Sequence, residues 1–150
     1  MEAARSIPRD GHLTDALTTD VILLAALIAA EARGEPYEGQ VAVACVVRNR
    51  VERPRWWGDS WQSVILKPLQ FEPFNIAATD GYGAYTKLLD LMHLIEPQHT
   101  YIASGVIARR LADNTHGATH FVNPRLATPD WMEHLVQCAT IGAHRFYRED

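Results

Sequence analysis

Val21 to Ala30, VILLAALIAA, is a run of ten apolar residues that closes on a carboxylate, Glu31, just before Gly34 and Pro36 break the chain. A membrane span takes about 20 such residues, so a run this short belongs inside a protein core. The sequence LTTD supplies capping residues ahead of it, and Gly34 with Pro36 forbids its continuation, which predicts a helix from about Asp20 to Arg33. Residues three, four and seven apart share a helix face. Counting back from Glu31 gives Ile28, Leu27 and Leu24, so Glu31 projects from the face that packs inward. Burial disfavours a charged carboxylate and raises its pKa, and a helix C-terminus acts in the same direction. That is what a general acid working near neutrality requires. A purely structural glutamate, bonded to Arg33, Arg48 or loop backbone, is the competing reading of the same position.

Glu35 stands differently. It follows Gly34 and precedes Pro36 in what should be an exposed turn, where a salt bridge or a backbone cap is favoured over catalysis and substrate contact is the alternative. Beyond it, YEGQVAVACVVRNRVE mixes the valines of a buried strand with the length and alanines of a helix, and is assigned as a buried helix. RPRWWGDS is a turn, and Ser60 caps a short helix ending before Pro68. LQFEPFN is a loop. Asp80 caps GYGAYTKLLDLMHLIE, and TYIASGVIARRLA forms a further helix with a weak point at Gly105. THFV and AHRFYR are strands that could pair with each other, and TPDWMEHLVQCA reads as a short helix. Residues 1–16 form a loose arm and residues 17–150 one domain, of α+β class, mainly α with a small β element.

The remaining constellations are weaker. His116 and His120 are four apart, but Gly117 and the polar residues around it argue for loop or strand, and HGATH lacks the glutamate and helix of a zincin. No metal or other cofactor is expected. Cys45 and Cys138 read as free thiols in a chain too poor in cysteine for a disulfide framework. Trp56, Trp57, Trp61 and Trp131, with Tyr37, Phe71 and Phe121, offer flat faces for sugar rings, two or three of them at a cleft. A net charge of −4 gives no basic field for nucleic acid or an anionic membrane, and the chain is expected to act as a monomer without inserting into a bilayer.

At this point AAEARGEPYEGQVAVACVVRNRVERP resembles the signature of the SleB-type cell wall hydrolases, the spore-cortex-lytic enzyme family. VILKPLQFEP, GATHFVNP, PDW and IGAHRFYR follow in that family's order, so the resemblance runs from about Leu17 to Arg148. It implies a lysozyme-like fold of the goose-type or transglycosylase-like kind, and cleavage of peptidoglycan glycan strands. The first glutamate of the E-A-R-G-E motif, the family's catalytic acid, falls on Glu31. The implied reaction is lytic transglycosylation at the MurNAc-β-1,4-GlcNAc bond. Tyr37, Gln70, Phe71, His120, Phe121 and Asn123, with Glu35, become candidates for substrate contact, and Asn49 for bracing behind them.

Two departures bear on context. The sequence shows no clear signal peptide and no room for the separate wall-binding module that spore members often carry. It is therefore expected to be made in the cytoplasm and to reach the wall after release by a holin or as part of a virion, as a phage-type or gene-transfer-type enzyme. A lysozyme-type muramidase, a zinc-dependent wall amidase or peptidase, and a non-catalytic wall-binding virion component are the alternatives.

Overall fold

The apolar run is the middle of a long helix, α1, Gly11–Ala32. It starts at Gly11 rather than near Asp20, so the last residues of the expected N-terminal arm are already helical. The structure is a computed structural model that describes the backbone of residues 11–67 and 89–150, with side chains from residue 18 onward. Gln70, Phe71, Asp80 and the first half of the helix expected after it lie outside the described residues. From Leu23 to Ala29 every side chain of α1 is buried, so over two turns this helix has no solvent face.

The chain turns once after α1. The Glu35 amide donates to the Ala32 carbonyl at 2.9 Å, and Pro36 is the N-cap of α2, Tyr37–Glu52. This settles the helix-or-strand ambiguity of VAVACVV in favour of helix. Residues Gly39 through Arg50 are all buried, which makes α2 the axis around which the other elements pack. A helix apolar or satisfied on every side is a core element, and its valines are tolerated because packing outweighs their small helix penalty.

Helix α3, Trp61–Ile65, starts as expected at Ser60, whose hydroxyl accepts from the Ser63 amide in a reciprocal capping box. Helix α4, Pro97–Ile107, opens three residues before the expected Thr100, because Pro97 sits at the first helical position, where its missing N–H costs nothing. It ends two residues past Gly105. There Arg109 takes φ +62 and the amides of Arg110 and Leu111 fold back onto the Gly105 carbonyl at 2.7 and 3.1 Å. A Cβ on Gly105 would meet the Leu111 side chain at 2.9 Å, so the weak point in the helix is where Leu111 closes over it.

Three short strands form the β element: β1, His120–Val122; β2, Val136–Ile141; and β3, His144–Arg148. The order is β1-β3-β2, all antiparallel, with His120 opposite Tyr147 and Phe121 opposite Phe146. THFV and AHRFYR therefore do pair. The helix expected over TPDWMEHLVQCA is not there. A 3-10 turn, Asp130–Glu133, is followed at once by β2, bulged at Cys138. Trp131, Met132 and Leu135 have helical spacing, but β2 gains a complete ladder with β3, and that ladder decides the conformation.

One cluster of buried side chains joins α1, α2, α3 and α4, and includes Leu24, Leu27, Ile28, Val47 and Ile102. A second joins α2 to the sheet through Ala42, Val46, Ala118 and Phe146. Phe121 packs against both. The domain is mainly helical, with a small three-stranded antiparallel sheet laid on the central helix.

Candidate active site

Glu31 occupies the last turn of α1. Leu24, Leu27 and Ile28, on its own face, are fully buried, while Glu31 is half-buried and Arg33 and Gly34 beyond it are exposed. The carboxylate thus stands where the core face of the helix meets solvent. The helix ends here because Gly34 and the Pro36 cap turn the chain, so the terminal carbonyls of α1 lie close to it and disfavour negative charge.

Glu35 is drawn back against the same helix end. Its amide bond to Ala32 closes a turn, which keeps the Cα atoms of Glu31 and Glu35 within about 11 Å of each other. Its side chain, 15% exposed, points across to the β2–β3 hairpin, where its Oε1 accepts the Ala143 amide at 2.8 Å. The same oxygen lies 3.7 Å from His144 Nδ1, too long for a hydrogen bond, and that ring nitrogen has no hydrogen-bond partner among the described residues. Burial pushes the His144 pKa down and the Glu35 carboxylate only partly restores it, so the ring is largely neutral at pH 7. Gly142, at the hairpin tip, takes φ +59, and a Cβ there would overlap Glu35 Oε1. Glu35 is a brace that fixes the hairpin against the end of α1.

The polar residues of α2 secure the loop between α4 and β1. Arg48 Nη1 donates to the carbonyls of Val106 and Leu111 at 3.0 and 2.9 Å. Asn49 Nδ2 donates to Asp113 Oδ2 at 3.1 Å and to the Ala118 carbonyl at 2.8 Å. Arg50 Nε donates to the Thr119 carbonyl at 2.7 Å. Asp113 in turn accepts from the Thr115 hydroxyl at 2.6 Å and amide at 2.8 Å, and from the Gly117 amide at 2.9 Å. Burial alone would raise the Asp113 pKa, but these hydrogen bonds together outweigh it and hold the carboxyl below its usual 3.8. Asn49 therefore braces the loop between α4 and β1. Asp113, Thr115 and Arg50 are structural residues that sequence reading passed over, although the spacing D-x-T-x-G of Asp113, Thr115 and Gly117 is a turn signal; Arg48, considered there only as a partner of Glu31, holds this loop as well.

His120, Phe121 and Asn123 do not share one wall. His120 lies on the opposite face of β1 from Phe121, its ring 6.1 Å from Trp57 and 5.0 Å from Trp131. Burial, then the Arg50 charge, lowers its pKa to about 4. Phe121 faces the other way, 5.1 Å from the His144 ring and 6.0 Å from Phe146. Asn123 braces a turn, its Oδ1 accepting the Arg125 amide at 3.0 Å. Tyr37 opens α2 with its side chain 39% exposed. Trp57 is buried, its indole N–H donating to the Arg50 carbonyl at 3.0 Å, whereas Trp56 is exposed.

Cys45 is buried and Cys138 half-buried, both as free thiols. Burial pushes the Cys45 thiol up to about 11, which disfavours the thiolate a nucleophile needs. Among the described residues no three His, Cys, Asp or Glu side chains converge closely enough to hold a metal ion. An open hollow of about 290 Å³ lies between the turn after β1 and the β2–β3 hairpin, formed by Pro124, Arg125, Thr140, Gly142, Ala143 and Arg145.

The chain matches the Cell Wall Hydrolase family model over residues 34–147, beginning three residues past Glu31. The spore cortex-lytic enzymes of Halalkalibacterium halodurans and Bacillus subtilis are each 35% identical to it over 127 residues. The match takes in 85% of this chain but 34% and 37% of theirs, so the chain spans about a third of the length of these relatives. Among solved structures, the catalytic domain of the germination-specific lytic transglycosylase SleB from Bacillus anthracis aligns with a TM-score of 0.67 at 29% identity, covering 86% of this chain and 93% of that one. The Bacillus cereus SleB catalytic domain aligns at 0.58 and 30% identity, covering 87% and 91%. The chain belongs to the Cell Wall Hydrolase family and has the mainly helical fold of the SleB catalytic domain.

Proposed function

We propose that the protein cleaves peptidoglycan glycan strands by lytic transglycosylation, with Glu31 as its single catalytic carboxylate. The likeness to a domain described as a lytic transglycosylase supports the substrate and reaction class. The observation that carries the mechanism is the place of Glu31, half-buried in the last turn of α1 where its core face meets solvent. Glu35 is committed to the Ala143 amide and the His144 ring. Glu31 stands at the mouth of the buried helix face.

Glycosidases that hydrolyse usually work with two carboxylates, whereas an internal nucleophile removes the need for the second. Protonated Glu31 donates its proton to the glycosidic oxygen as the C1–O bond breaks, releasing the 4-hydroxyl of N-acetylglucosamine. The resulting carboxylate takes the proton of the muramoyl C6 hydroxyl while O6 bonds to C1. A 1,6-anhydro ring closes and Glu31 is protonated again, ready for the next bond. Delivery to the wall by a holin, or on a virion, is part of the same proposal; secretion of the enzyme through its own N-terminus would overturn it.

Mass spectrometry of digested sacculi tests the reaction. Anhydro-muropeptides are the expected product, and reducing-end muropeptides would replace the reading with a lysozyme-type muramidase. Glu31→Gln should lower the rate at least about 100-fold, the scale of general acid–base catalysis, with an unchanged melting curve. Near-normal activity in that variant would overturn the role of Glu31.

A further inference from the structure

Arg125 and Arg145 are both exposed and line the same hollow, and neither guanidinium makes a hydrogen bond or ion pair among the described residues. Other arginines of this chain are spoken for. Arg48 and Arg50 hold carbonyls of the α4–β1 loop, Arg53 holds the Gly117 carbonyl, Arg55 pairs with Glu149, and Arg148 holds the His116 carbonyl. Arg125 and Arg145 are also held in place from behind. Asn123 Oδ1 fixes the backbone of Arg125. Arg145 sits in the ladder opposite Thr140 on one side and Val122 on the other. The protein as a whole carries −4, so two unpaired cations around one concavity stand out against its average charge.

The hollow also has a fixed relation to Glu31. Ala143 lines it and is bonded to Glu35, which is folded back onto the end of α1. A guanidinium offers a planar fork of donors matched to a carboxylate, and two of them favour an anion over a neutral sugar. On the reading that the substrate is peptidoglycan, the anions nearest the cleaved bond are the carboxylates of the stem peptide carried by the muramoyl ring. We infer that Arg125 and Arg145 form a subsite for a stem-peptide carboxylate, making the enzyme selective for glycan that bears peptide.

The test uses a disaccharide-tripeptide fragment with free carboxylates and the same fragment with its carboxyls converted to methylamides. Wild-type protein should bind the free acid about tenfold more tightly, with the difference shrinking as salt is added. An Arg125→Gln/Arg145→Gln double variant should bind both fragments alike, with an unchanged melting curve, since neither side chain is bonded in the fold. On whole sacculi its KM should rise while kcat holds. Equal binding of the two fragments by wild type, or a preference that survives in the double variant, overturns the subsite. So does tighter, arginine-dependent binding of a polyglycerol phosphate chain, which would make the hollow a site for wall polymer. The outcomes separate cleanly from the catalytic proposal. Anhydro products without carboxylate preference refute the subsite alone, and carboxylate preference without anhydro products refutes the transglycosylation alone.

Discussion

Glu35 and Gly142 meet where the loop after α1 touches the hairpin, and each constrains the other. Gly142→Ala puts a methyl group onto Glu35 Oε1 at a backbone conformation L-residues avoid, and a cost of about 2 kcal/mol or more is expected in urea unfolding. Glu35→Ala leaves the Ala143 amide without its charged acceptor and should cost about 1–2 kcal/mol, while Glu35→Gln, which keeps an oxygen in place, should cost less. If Glu35 were instead a catalytic carboxylate, Glu35→Gln would abolish activity at full stability, so measuring both quantities on that variant separates the roles. The sequence marked Glu35 as a cap in a turn, and that much was legible from Gly34 and Pro36. Its partner lies 108 residues away, and no local pattern encodes a contact of that separation.

At the level of elements, α2 carries most of the architecture. Its length and alanines identified it as a helix, but only packing shows that it is encircled and that its polar residues reach outward to hold a loop. Asn49→Ala removes the donor shared by Asp113 and the Ala118 carbonyl, and a loss of about 2 kcal/mol is expected. Proteolysis within residues 108–119 should also become faster in that variant, because the loop loses its anchor. Arg48→Met should act in the same direction by freeing the carbonyls that follow α4. The region after Asn123 was the least legible. Trp131, Met132 and Leu135 imitate a helical stripe in sequence. The strand that replaces it depends on β3, whose own position depends on Phe146 packing into α2. Likewise His120 and Phe121 are adjacent in sequence and fall on opposite faces of the sheet, as alternation in a strand dictates. A single groove wall could not use both.

For the whole molecule, charge and burial set an acid limit. Burial lowers the pKa of His99, His120 and His144 below the ordinary 6.5, with His120 near 4. Between about pH 6.5 and pH 4 the unfolded chain therefore binds more protons than the folded one, and stability falls as pH falls through that window. Asp113, held below 3.8 by its hydrogen bonds, extends the loss further into acid. Unfolding midpoints measured from pH 7 to pH 4 should decline steadily. His120→Gln should flatten the slope in that interval, and an unchanged slope would contradict the assigned burial of that ring. The mainly helical class and the strand pair were readable from hydrophobic periodicity and turn residues. The acid limit was not, because a histidine count does not reveal which rings are enclosed by tryptophan.

The encircled helix also changes what a family match means. Residues 39–50 are all buried, so each must fit its neighbours regardless of chemistry, and the match to the family begins at residue 34, after Glu31. The family model thus rests on the frame and begins just past the proposed acid, although the matches to individual relatives take that position in. On the proposed mechanism, a relative that had lost that one side chain would still match the family model while being unable to cut a glycan. Scanning such sequences at the position of Glu31, rather than by the strength of the match, would sort lytic enzymes from retired ones that survive as binding proteins.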